Sequence, residues 1–212
     1  NHLSNLLKSL KKYKINKRSI KEDILKILKK NLSKKKNYNH LLRIALNKNT
    51  ISISLRKRLT PKLNFNLKLV NLRRERPQFK NLKYKKILSH LSKMNNTKSD
   101  IGLVFNKKLF ETGTSNLLFI SNDKIFTPKK DYYEGITYKF FKSKVKKIYK
   151  KEIFVKELKK FDEILLIGSG KGVTSVKTIS QIGWKRKNLK YYYIFLKYYR
   201  SAIRNSNLYR FN

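Results

Sequence analysis

The sequence predicts an α+β protein with two lobes, a small lobe of helices and antiparallel strands followed by a larger β-rich lobe with helices. Apolar residues recur at helical spacing near the start of the chain, whereas later segments alternate apolar and polar residues as strands do. Between the two patterns lies the charged segment Arg73–Phe79, which contains Pro77 and suits a connection between domains. We therefore predict a small lobe over residues 1–74 and a large lobe over residues 75–212.

The small lobe is predicted to begin with two helices. Leu3–Tyr13 carries leucines at helical spacing, and Ser19 can cap a second helix over Ile20–Leu32, with Glu22 completing a capping box. Apolar runs bounded by turn residues predict strands at Leu41–Ala45, Thr50–Leu55 and Leu63–Leu72. Two helices followed by antiparallel strands describe a small α+β unit.

The large lobe is predicted to contain short strands and several helices. The strands lie at Ile101–Phe105, Leu117–Ser121, Lys124–Thr127 and Phe161–Ile167. The helices cover Tyr84–Met94, Gly135 to about Tyr149, and Leu189–Asn205. Because Phe161–Ile167 is almost continuously apolar, we expect this strand to be buried on both faces of its sheet.

Composition excludes several kinds of site and leaves one rival function open. The chain has no cysteine, so cysteine nucleophiles, disulfides and cysteine zinc sites are excluded, and we predict no metal site. Its 54 Lys and Arg residues against 12 Asp and Glu give a net charge of +42, which is typical of nucleic-acid-binding proteins. Most of these residues are Lys and they are spread along the whole chain, which favours a solvated surface that binds nucleic acid only adventitiously. A non-enzymatic basic RNA-binding protein is therefore the alternative of another class.

The sequence also bears on localisation. No apolar run is long enough for a membrane span, and no early segment has the pattern of a cleaved signal peptide. We therefore expect a cytoplasmic protein that does not bind membranes. Since the chain begins with Asn1 and not with Met, we also expect the small lobe to be truncated at its N-terminus.

Three segments carry residues suited to binding a charged ligand. Gly168-Ser169-Gly170 follows an apolar strand and Gly135-Ile136-Thr137 opens a helix, so both can present backbone amides to an anion. Glu111 lies between an apolar strand end and a run of small hydroxyl residues, where its carboxylate can bind a cationic ligand atom. Taken singly, each segment has a simpler interpretation: a strand followed by a turn, an ordinary helix start, and a solvated turn.

Taken together, the order and spacing of these segments resemble the class IV (fold-type IV) pyridoxal-phosphate enzymes. This family comprises branched-chain aminotransferases, D-amino-acid aminotransferases and 4-amino-4-deoxychorismate lyases. The matching segments are His2–Ser9 (family pattern HxxRLxxS), Phe79–Tyr84 (the lysine segment), Glu111–Asn116 (E-x-x-x-x-N), Thr127-Pro128, Gly135-Ile136-Thr137 and Asp162–Ser169. The resemblance covers nearly the whole chain and implies a two-domain fold-type IV enzyme that forms a homodimer and acts on a small-molecule amino substrate.

The resemblance also implies a role for each matching residue. Lys80 would be the catalytic residue, which binds pyridoxal 5'-phosphate covalently and then transfers protons. Glu111 would pair with the protonated pyridine nitrogen, so that the ring can act as an electron sink. The backbone amides of Ile136 and Thr137, together with Ser169, would hold the phosphate group.

The chain departs from the family pattern at three places. Asn5 stands where the first helix of the family has a phosphate-binding Arg, and would donate a weaker, neutral hydrogen bond. Tyr138 replaces the Arg that usually follows Gly-Ile-Thr. Gly168–Val176 lacks the Glu and Pro of the aminotransferase run G-T-A-x-E-[VI]-x-P-[VI].

Two of these features subdivide the family. Lys80-Asn81-Leu82-Lys83 follows the K-x-L pattern typical of lyases and D-amino-acid enzymes, and the aminotransferase run is lost. The resemblance is therefore nearest to 4-amino-4-deoxychorismate lyase, which acts on its substrate through an external aldimine and yields p-aminobenzoate and pyruvate. A branched-chain or D-amino-acid aminotransferase is the alternative within the family.

Overall fold

The structure is a computed structural model that describes residues 2–15, 19–33, 36 and 38–206. The chain divides into two compact units, the first within Asn1–Arg58 and the second formed by Leu59–Arg204. Both units combine helices and strands, so the predicted α+β class is confirmed. No helix in the described part of the chain is both long and apolar enough to cross a lipid bilayer.

The first unit has two helices followed by a β-hairpin, as the sequence predicts. These elements are helices α1 (His2–Lys12) and α2 (Ile20–Asn31) and antiparallel strands β1 (His40–Leu46) and β2 (Ile51–Lys57). Asn47 closes the hairpin, because its Oδ1 accepts the backbone N–H groups of Asn49 at 2.9 Å and Thr50 at 2.7 Å. The core of the unit is formed by buried residues of the helices and half-buried residues of the strands, among them Leu10, Ile20, Ile24, Ile44 and Ile53.

The start of α2 differs from the predicted capping box. Ser19 makes no side-chain hydrogen bond to the backbone of the first turn, and its Oγ donates to Oδ2 of Asp23 at 3.0 Å. Glu22 is exposed. In a capping box the hydroxyl would accept the backbone N–H of Glu22, whereas here it pairs with the carboxylate of the next residue, Asp23. Both acidic residues still lie in the first turn, where they interact favourably with the positive end of the helix dipole.

The second unit is built around a mixed sheet. Its strands are β3 (Asn64–Asn71), β4 (Ser99–Phe105), β5 (Lys108–Thr112), β6 (Asn116–Ser121), β7 (Lys124–Pro128), β8 (Tyr149–Lys151), β9 (Glu163–Gly168), β10 (Gly172–Ile179) and β11 (Trp184–Lys185). Hydrogen bonding orders them β5-β4-β3-β10-β9-β6-β7-β8, with β11 paired to β10. The helices of this unit are α3 (Lys85–Leu91), α4 (Ile136–Lys144) and α5 (Lys190–Arg204), with 3₁₀ turns at Val155–Lys160 and Ser180–Ile182.

Strand β9 lies between β10 and β6 and is buried on both faces, as its apolar run predicts. Alternate residues of a strand point to opposite faces. Ile164 and Leu166 therefore lie in one hydrophobic cluster, and Leu165 and Ile167 lie in the other, which Phe195 of α5 helps to close. Full burial of an aliphatic side chain contributes about 1.5–3 kcal/mol, so β9 anchors the turn that follows it.

Strand β3 changes the extent of the units relative to the sequence prediction. The predicted small lobe ended at residue 74 and included this strand, whereas β3 pairs in parallel with β4 on one side and with β10 on the other. Alternating hydrophobicity predicts that a strand is buried, but it does not identify the strands that flank it.

Two elements after the Glu111 strand also differ from the prediction. Helix α4 ends at Lys144 and not near Tyr149, because Val145 adopts extended backbone (φ −106°, ψ 148°) and Tyr149 begins β8. Gly172–Val176, which the sequence analysis compared with the aminotransferase run, lies in the long strand β10.

Candidate active site

Glu111 lies near the end of β5, an edge strand of the sheet that pairs with β4. Its side chain is only 5% exposed, so the interpretation of Glu111 as a solvated turn residue is wrong. Its charge is matched by Arg74, whose Nε donates to Oε1 of Glu111 at 2.8 Å. Burial raises the pKa of the Glu111 carboxyl, and the Arg74 guanidinium opposes this rise.

Arg74 is a site residue that sequence reasoning missed. Besides its ion pair with Glu111, it donates from Nη2 to the backbone carbonyl oxygen of Gly113 at 3.2 Å. The sequence placed Arg74 in a connecting segment. A buried carboxylate requires a cationic or hydrogen-bonding partner. That rule predicts that a partner exists, but with 54 Lys and Arg residues in the chain it does not say which one.

Lys80 lies in the loop between β3 and α3. The residue as a whole is exposed, but its Nζ lies 5.2 Å from the centre of the Tyr133 ring. Desolvation by the surrounding protein lowers the pKa of the Lys80 amine, the Arg74 guanidinium lowers it further, and the Glu111 carboxylate opposes both effects. A lowered pKa enlarges the neutral fraction of the amine, which is the form that a nucleophilic lysine needs.

Tyr133 brings Lys80 and Glu111 together. Its backbone N–H donates to Oε2 of Glu111 at 3.5 Å, while its ring contacts the amine of Lys80. The carbonyl oxygen of Tyr133 accepts a hydrogen bond from Nδ2 of Asn116 at 2.6 Å, and Oδ1 of Asn116 accepts the N–H of Gly135 at 3.1 Å. Asn116 thereby links the region of Glu111 to the start of α4, which gives a structural reason for the E-x-x-x-x-N spacing.

Thr137 and Ser169, which the sequence assigns to two separate anion-binding segments, lie in contact. Thr137 is buried in the first turn of α4, and Ser169 is exposed in the turn between the antiparallel strands β9 and β10. Their hydroxyl oxygens lie 3.3 Å apart. The first amides of a helix have no intrahelical acceptor, so those of Ile136 and Thr137 are suited to binding an anion.

Two positions that depart from the family pattern have different surroundings. Tyr138 is fully buried, and its ring packs edge-on against Tyr132 with centroids 5.9 Å apart at 85°. Tyr138 is therefore a core residue at the position where the family usually has an Arg. Asn5 lies on α1 in the first unit, where its carbonyl oxygen accepts a hydrogen bond from Ser9 Oγ at 3.0 Å. Its part in phosphate binding stays a prediction.

Comparisons with known proteins identify the family. Residues 1–179 match the model of the amino-transferase class IV family. A candidate branched-chain amino acid aminotransferase from Thermotoga maritima is 17% identical over 97% of this chain and 80% of its own, with a TM-score of 0.78. A candidate 4-amino-4-deoxychorismate lyase from Legionella pneumophila is 18% identical over 92% and 83%, with a TM-score of 0.69. The branched-chain amino acid aminotransferase of Thermobaculum terrenum in its PLP form is 16% identical over 95% and 76%, also with a TM-score of 0.69.

These structural likenesses establish the fold, and the family model establishes the family. Comparison with curated protein sequences finds no match. The family match decides between the two classes of function considered above, in favour of an enzyme and against a non-enzymatic RNA-binding protein. The chain belongs to the class IV aminotransferase family, whose members are pyridoxal phosphate-dependent enzymes.

Proposed function

We propose that the chain is a lyase that converts 4-amino-4-deoxychorismate to p-aminobenzoate and pyruvate. The observation that carries the proposal is the meeting of Lys80 and Glu111 at Tyr133, which joins an amine of lowered pKa to a buried carboxylate. An amine suits the aldehyde of pyridoxal phosphate, and a carboxylate suits its ring nitrogen. The residues present therefore fit the cofactor of the family.

The chain's own residues would divide the chemistry between them. When bound, the cofactor supplies an electron sink. Glu111 would keep the ring nitrogen protonated, because an ionised carboxylate favours a neighbouring positive charge. Arg74 would keep Glu111 ionised despite its burial, since its guanidinium opposes the rise in the pKa of that carboxyl. Lys80 would hold the cofactor covalently and, after the substrate amine displaces it, would remove a ring proton of the substrate with its neutral Nζ.

Phosphate binding would use the contact between α4 and the β9–β10 turn. A phosphate monoester carries nearly two charges at neutral pH and needs several donors. The amides of Ile136 and Thr137 and the hydroxyls of Thr137 and Ser169 supply such donors, and the two hydroxyl oxygens are already 3.3 Å apart. Asn5 lies in the first unit, and the neutral hydrogen bond that the family resemblance implies for it stays a separate prediction.

Gly172 favours the lyase over an aminotransferase. The aminotransferase run carries Glu at this position. Here Gly172 has φ +70°, and a Cβ at this residue would lie 2.6 Å from Cε1 of Tyr199, so a Glu side chain does not fit. The K-x-L pattern at Lys80 supports the same choice.

The test of the reaction offers the purified protein both kinds of substrate in the presence of pyridoxal phosphate. With 4-amino-4-deoxychorismate we expect p-aminobenzoate and pyruvate in equal amounts, the first measured by its fluorescence and the second by a coupled dehydrogenase assay. With branched-chain L-amino acids or D-amino acids and 2-oxoglutarate we expect no glutamate. Glutamate formation without p-aminobenzoate would replace the lyase by an aminotransferase.

The test of the site locates the cofactor on the chain. Borohydride reduction of the protein with bound cofactor, followed by mass spectrometry, should place the cofactor on the peptide that contains Lys80. Lys80→Ala should give a folded protein that no longer holds the cofactor covalently. Lys83→Ala is the matched control, because Lys83 is a nearby lysine that forms an exposed ion pair with Glu75. Cofactor attached to another lysine would overturn the assignment.

The proposal extends to assembly and cellular context. We expect a homodimer in the cytoplasm that serves folate biosynthesis and binds nucleic acid only adventitiously. Light scattering during size-exclusion chromatography would measure the mass in solution, and a mass equal to one chain would contradict the dimer.

A further inference from the structure

A buried ion pair lies beside the candidate site. Nζ of Lys171 lies 2.6 Å from Oδ2 of Asp100, and the two side chains are 11% and 0% exposed. The Lys171 amine also lies 4.6 Å from the centre of the Phe65 ring. Burial lowers the pKa of Lys171, and Asp100 opposes this effect. Separating the two side chains would leave a buried charge unpaired, which is costly. The pair therefore keeps together the segments that carry Asp100 and Lys171.

Asp100 joins three segments of the second unit. Its Oδ1 accepts the backbone N–H of Ile101 at 2.8 Å within β4. Its Oδ2 accepts the hydroxyl groups of Thr112 at 2.8 Å and Thr114 at 2.7 Å, in the turn that follows Glu111. The same oxygen accepts Lys171 Nζ from the turn between β9 and β10. One carboxylate therefore holds two turns of the candidate site against β4.

The two turns also contact each other. Thr112 Oγ1 accepts the N–H groups of Thr114 at 3.2 Å and Ser115 at 2.7 Å, which fixes the first turn. A Cβ at Gly168 would lie 3.3 Å from Ser115 Oγ and 3.4 Å from the carbonyl oxygen of Thr114, so the first turn packs closely against the start of the second. Ser169 follows Gly168 directly, and its hydroxyl is the one in contact with Thr137.

We propose that Lys171, through its ion pair with Asp100, is a positioning residue that holds the Ser169 turn against Thr137 and so aligns both hydroxyls for the cofactor phosphate. This inference rests on the proposed function, because it takes Thr137 and Ser169 as phosphate ligands. In this proposal the Lys171 amine stays bonded to Asp100 and acts on the phosphate only through the two hydroxyls. Because these hydroxyls bind the phosphate group, replacing Lys171 should weaken the binding only of ligands that carry this group.

The experiment compares pyridoxal phosphate with pyridoxal, which lacks the phosphate. Dissociation constants of both are measured by absorbance titration of the full chain and of Lys171→Met. We expect Lys171→Met to weaken pyridoxal phosphate binding about tenfold, the loss expected for misaligned hydrogen bonds to a charged group. Pyridoxal binding should stay unchanged. Lys187→Met is the control for loss of one positive charge, because Lys187 pairs with Asp162 at the surface, with 60% and 25% of the side chains exposed.

The double variant Asp100→Asn/Lys171→Met keeps the test decisive if Lys171→Met does not fold. It removes both charges, leaves no unpaired buried ion, and should show the same loss of preference for the phosphorylated ligand. The positioning function of Lys171 would be overturned if the variants bound both ligands more weakly to the same extent. It would also be overturned if they kept the preference of the unaltered chain for pyridoxal phosphate over pyridoxal. If the unaltered chain binds pyridoxal as tightly as pyridoxal phosphate, the phosphate site of the proposed function fails, and the inference fails with it.

Discussion

Replacing Gly172 with Ala should destabilise the second unit more than the same replacement at Gly183. Both residues have positive φ, 70° and 63°, where an L residue is strained by about 1–2 kcal/mol. They differ in the space around them. A Cβ at Gly172 would lie 2.6 Å from Cε1 of Tyr199, whereas a Cβ at Gly183 meets nothing within 4 Å among the described residues.

The difference between the two variants isolates the steric effect. Tyr199 lies on α5 and packs against the hydrophobic cluster that contains Phe141 and Phe195, so its ring cannot move without disturbing other side chains. Overpacking of this kind destabilises by about 1–3 kcal/mol. Added to the backbone strain, it gives a loss of about 2–5 kcal/mol for Gly172→Ala, against about 1–2 kcal/mol for Gly183→Ala.

Urea unfolding measured by tryptophan fluorescence is the appropriate assay. The chain has a single Trp, Trp184, which is 2% exposed in the second unit and donates its Nε1–H to the carbonyl oxygen of Phe161 at 2.9 Å. Its fluorescence therefore reports unfolding of the unit that contains both glycines. Equal losses of unfolding free energy in the two variants would refute the reasoning, because they would show that Tyr199 yields to a Cβ without loss of packing.

Three further predictions concern charged residues. Arg74→Met should raise the pKa of the Lys80 amine, because it removes a positive charge that lowers this pKa. Since only the neutral amine reacts, labelling of Lys80 by reductive methylation should become slower at a fixed pH below the pKa. An unchanged labelling rate would contradict this prediction. Glu111→Gln should lower kcat of the lyase reaction about a hundredfold and should also lower the urea midpoint, because it leaves the largely buried Arg74 guanidinium without its carboxylate; an unchanged kcat in the folded variant would contradict a function in the reaction. Glu163→Gln should lower the unfolding free energy by about 1 kcal/mol, because Glu163 accepts the N–H groups of Tyr191 and Tyr192 at the start of α5, each at 2.9 Å; urea unfolding without such a loss would show that this cap does not stabilise the helix.

The elements that the sequence predicted well are those whose signal is local. The apolar run of β9 predicted burial on both faces, and the structure places its alternate residues in two hydrophobic clusters. The hairpin of β1 and β2 was predicted from two apolar runs around an asparagine turn, and Asn47 does close it. The hairpin joins neighbours in sequence, and the burial of β9 is indicated by its own apolar composition, so in both cases a short window contains the necessary information.

The contacts that the sequence did not predict join distant residues. Arg74 and Glu111 are 37 residues apart, and Asp100 and Lys171 are 71 residues apart. Periodicity identifies a buried face but not the residue that meets it across the sheet, and a uniform excess of Lys gives no reason to choose one cation over another. For the same reason, the sequence did not predict that β3 pairs with β4 and β10.

Two of the departures from the family pattern share a physical character. At position 138 a buried tyrosine that packs on Tyr132 takes the place of an Arg, and at position 172 a glycine beneath the Tyr199 ring takes the place of a Glu. Both changes exchange a charged side chain for aromatic packing. The donors that remain at the proposed phosphate site are backbone amides at a helix N-terminus and two hydroxyls, and their strength depends on alignment because none carries a full charge. Under the proposed function, alignment of these donors by the Asp100–Lys171 ion pair therefore matters more in this chain than in one that has the phosphate-binding Arg at the position of Asn5.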